Sequence, residues 1–93
     1  MSIEYRIFET ENFRKELERL LRGGKEYLQG RLTERVYPQL RRRPHFGPNI
    51  KKLKDYSPET WRYRIGPWRF FYEIDEQERI VFLTAVSHRS RAY

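Results

Sequence analysis

The sequence has no cysteine and only two histidines, His45 and His88. Without cysteine there is no disulfide framework and no thiolate metal site, and two histidines alone make a poor zinc site. We therefore expect neither a metal nor any other cofactor. The lack of disulfides also favours the reducing cytoplasm as the protein's location.

Patterns that mark several other protein classes are missing too. The hydropathy is too low for a membrane span, and the N-terminus lacks the basic, apolar and small-residue regions of a signal peptide. No glycine-rich phosphate loop, nucleophile elbow or pair of catalytic carboxylates is present, so nucleotide hydrolysis and serine chemistry have no support. We expect no membrane partner.

Acidic residues are scarce relative to basic ones. Lysine and arginine number 20 against 13 acids, which gives a net charge of +7 on 93 residues. A chain of this length forms one domain, predicted here as residues 1–93, with room for about one layer of helices on one sheet. The charge indicates a polyanionic partner, either a nucleic acid or an acidic protein.

The stretch from Trp61 to Tyr72 predicts a two-stranded hairpin. In a two-residue turn at Gly66 and Pro67, glycine supplies the positive φ of the first position and proline's fixed φ suits the second. The predicted pairs are then Ile65 with Trp68, Arg64 with Arg69, Tyr63 with Phe70, Arg62 with Phe71, and Trp61 with Tyr72.

Side chains in such a hairpin alternate between two faces. One face collects the core candidates Trp61, Tyr63, Ile65, Trp68, Phe70 and Tyr72, and the other collects Arg62, Arg64, Arg69, Phe71 and Glu73. Like charges directly opposite each other, as at Arg64 and Arg69, destabilise a sheet. We expect an anionic ligand to compensate for this cost.

The rest of the chain predicts a strand, two helices and further strands. Residues 3–8 alternate as a strand, and Thr10 is an N-cap for an amphipathic helix that ends at Gly23 and Gly24. A second helix begins near Lys25 and carries Leu28, Leu32, Val36 and Leu40 at four-residue intervals, with Pro38 kinking it or ending it early.

Two further strands follow from the apolar pattern. Residues 50–54 predict a short edge strand, and the nearly unbroken apolar run 80–86 predicts a central strand covered on both faces. The register of this last strand against the hairpin stays open, because the turn at residues 75–78 permits a bulge. The fold class is α+β: an N-terminal strand, a helical hairpin, then a three- to four-stranded antiparallel sheet.

The basic face and the C-terminal tail form the group with the clearest chemistry. Guanidinium groups bind phosphate bidentately, and a terminal tyrosine or histidine can stack on an unpaired base, a combination that suits RNA. The members are Arg62, Arg64, Arg69, His88, Arg89, Arg91 and Tyr93. The structural alternatives are ordinary solvent-facing charges and, for His88, a hydrogen-bonded histidine at a strand end. His45 is interpreted as structural.

Several of these motifs together resemble the RelE/ParE superfamily of toxins. They are the run 49–55, the hairpin 61–66, the strand 68–75, and the ending Val86-Ser-His-Arg with a terminal Tyr93. The resemblance covers nearly the whole chain in layout, and its specific motifs lie within residues 49–93. It implies the superfamily's fold and a toxin of a type II toxin–antitoxin pair.

The RelE-like branch cleaves messenger RNA in the ribosomal A site, by attack of a ribose 2′-hydroxyl on the adjacent phosphate. The resemblance places Arg62 and Arg64 at that branch's two basic strand positions, often lysines. It matches Arg69 to the arginine that steadies the transition-state phosphate, Arg89 to the basic residue after the last strand, and Tyr93 to the base-stacking aromatic. Because arginine is a poor proton shuttle, His88 is the alternative acid or base.

We therefore predict a ribosome-dependent messenger-RNA endoribonuclease. Its partners would be the ribosome, messenger RNA and a small, acidic cognate antitoxin that covers the basic groove. Further RNA contacts are expected from Arg41, Arg42, Arg43, Lys51, Lys52, Lys54 and Arg91. The alternatives are a ParE-like toxin that inhibits DNA gyrase by protein contact, and a catalytically inactive basic binding module.

Overall fold

The computed structural model describes residues 4–89 as helices packed on one face of a five-stranded sheet. The sheet order is β1-β5-β4-β3-β2; β1 is parallel to β5, and the other neighbours are antiparallel. The elements are β1 (Arg6–Glu9), α1 (Glu11–Arg22), α2 (Tyr27–Arg31), a π-helical turn (Leu32–Val36), α3 (Tyr37–Arg42), β2 (Ile50–Lys52), β3 (Trp61–Ile65), β4 (Trp68–Asp75) and β5 (Ile80–His88).

The predicted α+β class and its antiparallel strands are confirmed, with one addition. The N-terminal strand extends the sheet as a fifth, parallel member, so the sheet is mixed and not purely antiparallel. The chain leaves β1 through the helices and re-enters the sheet at the far edge, a crossover that parallel pairing requires. Within residues 4–89, no helix is long and apolar enough to cross a membrane.

Helix α1 forms where its capping signals predict it. The Thr10 hydroxyl accepts a hydrogen bond from the Phe13 amide at 3.3 Å, and Gly23 ends the helix. Phe13 and Leu17 are buried, while charged residues cover the outer side and include a Glu11–Lys15 ion pair at 3.2 Å. The helix is therefore amphipathic, and its buried side faces the sheet.

The second helical segment passes through Pro38, so of the two expected effects, a kink or an early end, the early end does not occur. A π-helical turn precedes α3, and Pro38 lies in the first turn of α3. In a regular α-helix, proline clashes with the carbonyl of the residue four positions earlier, which is Glu34 here. Glu34 lies in the wider π-helical turn, which accommodates the proline. The apolar stripe predicted for this segment remains continuous across the π turn. Its members, Leu28, Leu32, Val36 and Leu40, are all fully buried.

The core lies between this stripe and one face of the sheet. Tyr63, Phe70, Tyr72, Val81 and Leu83 are its main sheet residues, and all are buried. The predicted central position of strand 80–86 is confirmed, and on the face away from the helices residues such as Phe82 are partly buried. There Phe8 of β1 meets Phe82 edge-on at 5.5 Å. The helices thus leave the second face open.

The hairpin register is confirmed at every predicted pair. Ile65 pairs with Trp68, Arg64 with Arg69, and the remaining pairs continue to Trp61 with Tyr72. Gly66 has a φ of +54°, in the region that L side chains rarely adopt. The turn therefore depends on a glycine at this position.

Replacing Gly66 by alanine should lower the free energy of unfolding by about 1 to 2 kcal/mol, because alanine is strained at positive φ. An added Cβ has no atom within 4 Å, so backbone strain alone is tested. Gly30→Ala in α2 is the matched control, since that position is also open. It should raise stability by about 0.5 to 1 kcal/mol. Urea denaturation of both variants checks this, and wild-type stability for Gly66→Ala would contradict it.

Candidate nucleic-acid interface

Three arginines from neighbouring strands lie on the open face of the sheet, and we call Arg62, Arg64 and Arg69 the arginine face. The β3–β4 register puts Arg64 directly opposite Arg69. The Arg64 amide donates to Asn49 O at 2.9 Å, so it points away from β4. Arg64 and Arg69 are therefore a non-hydrogen-bonded pair, in which Cβ atoms lie about 4.5 to 5.5 Å apart.

Only one of the predicted lysines shares this face. Lys51 pairs with Arg62 across β2 and β3, so their side chains point the same way. Lys52 points the other way, where its Nζ lies 5.9 Å from the Trp61 ring centroid and 2.9 Å from a Glu59 carboxylate oxygen. Lys54 is exposed in the loop after β2. The basic character of this edge thus comes mainly from the arginines and Lys51.

The arginine triplet at the end of α3 is separate from the arginine face. The Arg41 guanidinium lies 5.9 Å from the Tyr37 ring centroid, and the Arg41 carbonyl accepts from the Tyr5 amide beside β1. Arg42 and Arg43 are exposed at the same helix end. Since β1 is the edge strand opposite β2, these arginines flank a different part of the molecule.

A β-bulge sets how β5 contributes. Phe71 pairs with Ala85 and Tyr72 with Leu83, so Thr84 is an extra residue in β5. Before the bulge Leu83 faces the core, and after it Ser87 lies opposite Arg69 on the open face. The sequence allowed a bulge at the turn of residues 75–78, whereas the observed bulge lies within β5. It brings Ser87 beside the arginine face.

His88 is placed on the helix-covered side of the sheet. It pairs with Trp68, and the two rings meet edge-on at 5.0 Å between centroids. The Trp68 Nε1 group in turn donates to Tyr27 Oη at 2.9 Å. His88 and the arginine face therefore lie on opposite faces of the sheet.

Arg89 follows directly at the hairpin turn. Its amide donates to Pro67 O at 2.7 Å, which holds its main chain beside the turn that joins β3 and β4. Arg91 and Tyr93, also predicted for the site, lie outside the described residues. The structure thus brings together Arg62, Arg64, Arg69 and the main chain of Arg89.

A groove of about 670 Å³ lies between α1 and the second half of β5. Its lining includes Glu16, Arg19, Tyr56, Phe71, Ser87 and His88. Phe71 is buried and pairs with Arg62, which places an aromatic ring among the basic residues. The sequence analysis placed Phe71 on the correct face of the hairpin but assigned it no function. It did not identify Tyr56 or Ser87 as candidates for the site. Only the bulge and the loop path reveal the latter two.

His45 has the structural role that the sequence suggested. Its Nε2 lies 2.5 Å from a Glu76 carboxylate oxygen, and its ring meets Trp61 at 5.3 Å. Tyr5 Oη donates to the other Glu76 oxygen at 2.9 Å. Burial opposes ionisation of Glu76, but these hydrogen bonds outweigh it, so the pKa of this carboxyl lies below its usual value. The contacts tie the β4–β5 turn to the start of the chain.

A family model matches residues 7–93, and its description is the ParE toxin of the type II toxin–antitoxin system parDE. The chain belongs to the ParE toxin family. The match covers the arginine face and both helical segments, and the superfamily expected from the sequence is confirmed. Sequence comparison with curated proteins found no match.

Solved structures share the fold of this ParE-family chain. A chain of the toxin–antitoxin complex RelBE2 from Mycobacterium tuberculosis is 24% identical, with 98% of each chain covered and a TM-score of 0.77. A chain of the RelE–RelB complex from Pyrococcus horikoshii is 22% identical over 95% of this chain and 98% of that one, with a TM-score of 0.56.

A third similar structure is a conserved hypothetical protein from Helicobacter pylori. It is 21% identical over 92% of this chain and 96% of that one, with a TM-score of 0.62. At these identities the likeness concerns the fold. The fold is therefore that of RelE-like toxins, as the sequence predicted.

The low pKa of Glu76 predicts a pH dependence of stability. Ionised Glu76 stabilises the fold above its ordinary pKa of 4.5, and this contribution is lost as the pH falls through the lower folded-state value. Glu76→Gln should therefore flatten the decline of the unfolding midpoint as the pH falls below about 4.5. Glu78→Gln is the control for an exposed carboxyl of the same turn. Equal steepness in wild type and Glu76→Gln would contradict the prediction.

Proposed function

We propose that this ParE-family toxin is an endoribonuclease that cleaves messenger RNA on the ribosome and thereby inhibits translation. The observation that carries the proposal is the facing pair Arg64 and Arg69 on the open side of the sheet. Two like charges in direct opposition destabilise the fold, and a bound phosphate would turn that repulsion into attraction. A site that is unfavourable when empty fits an anionic substrate.

The reaction we propose uses the RNA's own nucleophile. The 2′-oxygen forms a bond to the adjacent phosphorus and loses its proton, while the bond from phosphorus to the 5′-oxygen breaks and that oxygen gains a proton. The products are a 2′,3′-cyclic phosphate and a 5′-hydroxyl end. Negative charge grows on the phosphoryl oxygens, where Arg69 and Arg64 can stabilise it.

Proton transfer is assigned differently from charge stabilisation. Arginine stays protonated at any pH that proteins tolerate, so Arg62 and Arg64 are poor general bases. The His88 ring contacts Trp68 on the helix-covered side of the sheet, away from the arginine face. We therefore propose that the arginines bind the phosphate and stabilise its charge, and that catalysis does not require a proton shuttle at His88.

An antitoxin is the second proposed partner. One structurally similar chain comes from a toxin–antitoxin complex and another from a RelE–RelB complex. With a net charge of +7 on 93 residues, this toxin favours a partner with an acidic segment. Covering the arginine face with that segment would both neutralise the charge and exclude RNA.

Inhibition of DNA gyrase is the second candidate function, because the matching family model is that of ParE toxins. Such inhibition acts by protein contact and does not need the phosphate chemistry of Arg64 and Arg69. The two functions therefore differ in the cellular process that stops first.

Expressing the protein without an antitoxin should arrest growth through translation. We expect new transcript 5′ ends within codons of translated messages, mapped soon after induction, while plasmid supercoiling stays normal. Arg69→Ala expressed at the same level is the control and should permit growth. Loss of supercoiling with intact transcripts would favour the gyrase candidate.

Replacing Arg69 by alanine should separate catalysis from binding. If Arg69 stabilises charge in the transition state, single-turnover cleavage on programmed ribosomes should slow by roughly a hundredfold to a thousandfold with ribosome affinity little changed. Thermal stability should rise slightly, because the repulsion with Arg64 is removed.

Arg42→Ala is the matched control for this experiment, since Arg42 is exposed and distant from the arginine face. It should weaken association modestly and reduce its salt dependence, and the bound complex should cleave at the wild-type rate. A wild-type cleavage rate for Arg69→Ala would refute the catalytic assignment.

A further inference from the structure

Among the described residues, no strand lies beside the second half of β5 on the α1 side. β1 pairs with Ile80 to Leu83 and then ends, so within residues 4–89 the edge of Thr84 to His88 faces α1. Unpaired backbone groups at a strand edge cost stability unless other groups satisfy them. This half of β5 is also the part that lies next to Arg69 and the hairpin turn.

Polar groups of the N-cap Thr10 and of α1 take the place of a neighbouring strand. The Thr10 amide and hydroxyl both donate to Leu83 O, at 3.0 and 2.8 Å. Asn12 Nδ2 donates to Thr84 O at 2.8 Å, and the Val86 amide donates to Glu16 Oε1 at 2.9 Å. These contacts run in order along β5, as the hydrogen bonds of a neighbouring strand would.

The bulge explains why β5 is hydrogen-bonded here by groups of Thr10 and α1 and not by another strand. Leu83 and Thr84 are consecutive, yet both carbonyls point toward α1, whereas carbonyls alternate in a regular strand. On the β4 side the Thr84 hydroxyl donates to Phe71 O at 3.3 Å. A further strand could not satisfy two adjacent carbonyls, but short side chains on a helix can.

Glu16 is the last of these contacts and the one nearest the arginine face. Its acceptor is a carboxylate, and charge-assisted hydrogen bonds are stronger than neutral ones. It holds Val86, which precedes Ser87 opposite Arg69 and lies three residues before Arg89 at the turn. Strand β1 ends at Glu9 and does not reach the Val86 amide, so it cannot provide an acceptor in place of Glu16.

We infer that Glu16 is a positioning residue of the proposed ribonuclease site: by accepting the Val86 amide, it fixes the end of β5 so that Ser87 and Arg89 stay in register with Arg69. The role rests on the proposed function, because it concerns the geometry of that site. Glu16 itself need not contact RNA, since it acts through the backbone of β5.

Two variants of Glu16 test this role with a matched control. Glu16→Ala removes the acceptor, and Glu16→Gln keeps a carbonyl oxygen at the same distance along the side chain. Glu18→Ala is the control, since Glu18 is on the same helix but pairs with Arg22 at the surface. Amide hydrogen exchange reports on Val86 directly, and single-turnover cleavage on ribosomes reports on the site.

In Glu16→Ala, exchange of the Val86 amide should accelerate by about tenfold or more, as expected for losing a hydrogen bond to a charged acceptor. The cleavage rate should fall by a similar factor with ribosome affinity unchanged. Glu16→Gln should restore part of both, because its neutral carbonyl oxygen is a weaker acceptor than a carboxylate, and Glu18→Ala should resemble wild type. Exchange at Phe70 in β4 should change little, which distinguishes local release from global unfolding.

Three results would overturn the inference. They are unchanged Val86 exchange in Glu16→Ala, faster exchange with a wild-type cleavage rate, and a Glu16→Gln protein as impaired as Glu16→Ala. A wild-type protein that cleaves no message would overturn the proposed function itself. If wild type cleaves and Glu16→Ala cleaves equally well, only the positioning role fails.

Discussion

Arg64 and Arg69 face each other because only two residues, Gly66 and Pro67, join their strands. The same register sends Tyr63 and Phe70 into the core, so the fold gains the burial of large aromatic side chains while it accepts a repulsive pair on the open face. Burying such a side chain contributes about 1.5 to 3 kcal/mol, whereas a single cross-strand pair contributes only about 0.2 to 1 kcal/mol, and a like-charge pair is destabilising. The core therefore determines the register, and the charges follow from it.

The hairpin was predictable because its information is local. A turn signal and alternating side chains together fix every pair from Ile65–Trp68 to Trp61–Tyr72. The parallel pairing of β1 was not predictable in this way, since it depends on where a chain of two helices returns to the sheet. The π turn before Pro38 was missed because the four-residue spacing of the buried leucines is compatible with an unbroken helix.

The site was predicted less completely than the fold. Arg62, Arg64 and Arg69 share a face because they lie in the hairpin, whose register the sequence determines. The face of His88 depends on the bulge at Thr84, and a threonine within an apolar strand gives no clear signal of one. Lys52 was assigned to RNA although strand alternation turns it toward Trp61 and Glu59. The face of His88 was therefore left open by the sequence, because it depends on how β5 pairs with β4.

Because of the extra residue in β5, the alternation of core-facing and outward-facing side chains reverses at Thr84. Up to Leu83 the odd-numbered positions contribute to the core, and beyond Thr84 the even-numbered ones do. Substitutions on either side leave this arrangement intact, but a single insertion or deletion between Thr84 and Ser87 would exchange core and surface at the end of the strand. Divergence in this segment should therefore proceed by replacement at constant length, or by paired length changes that cancel.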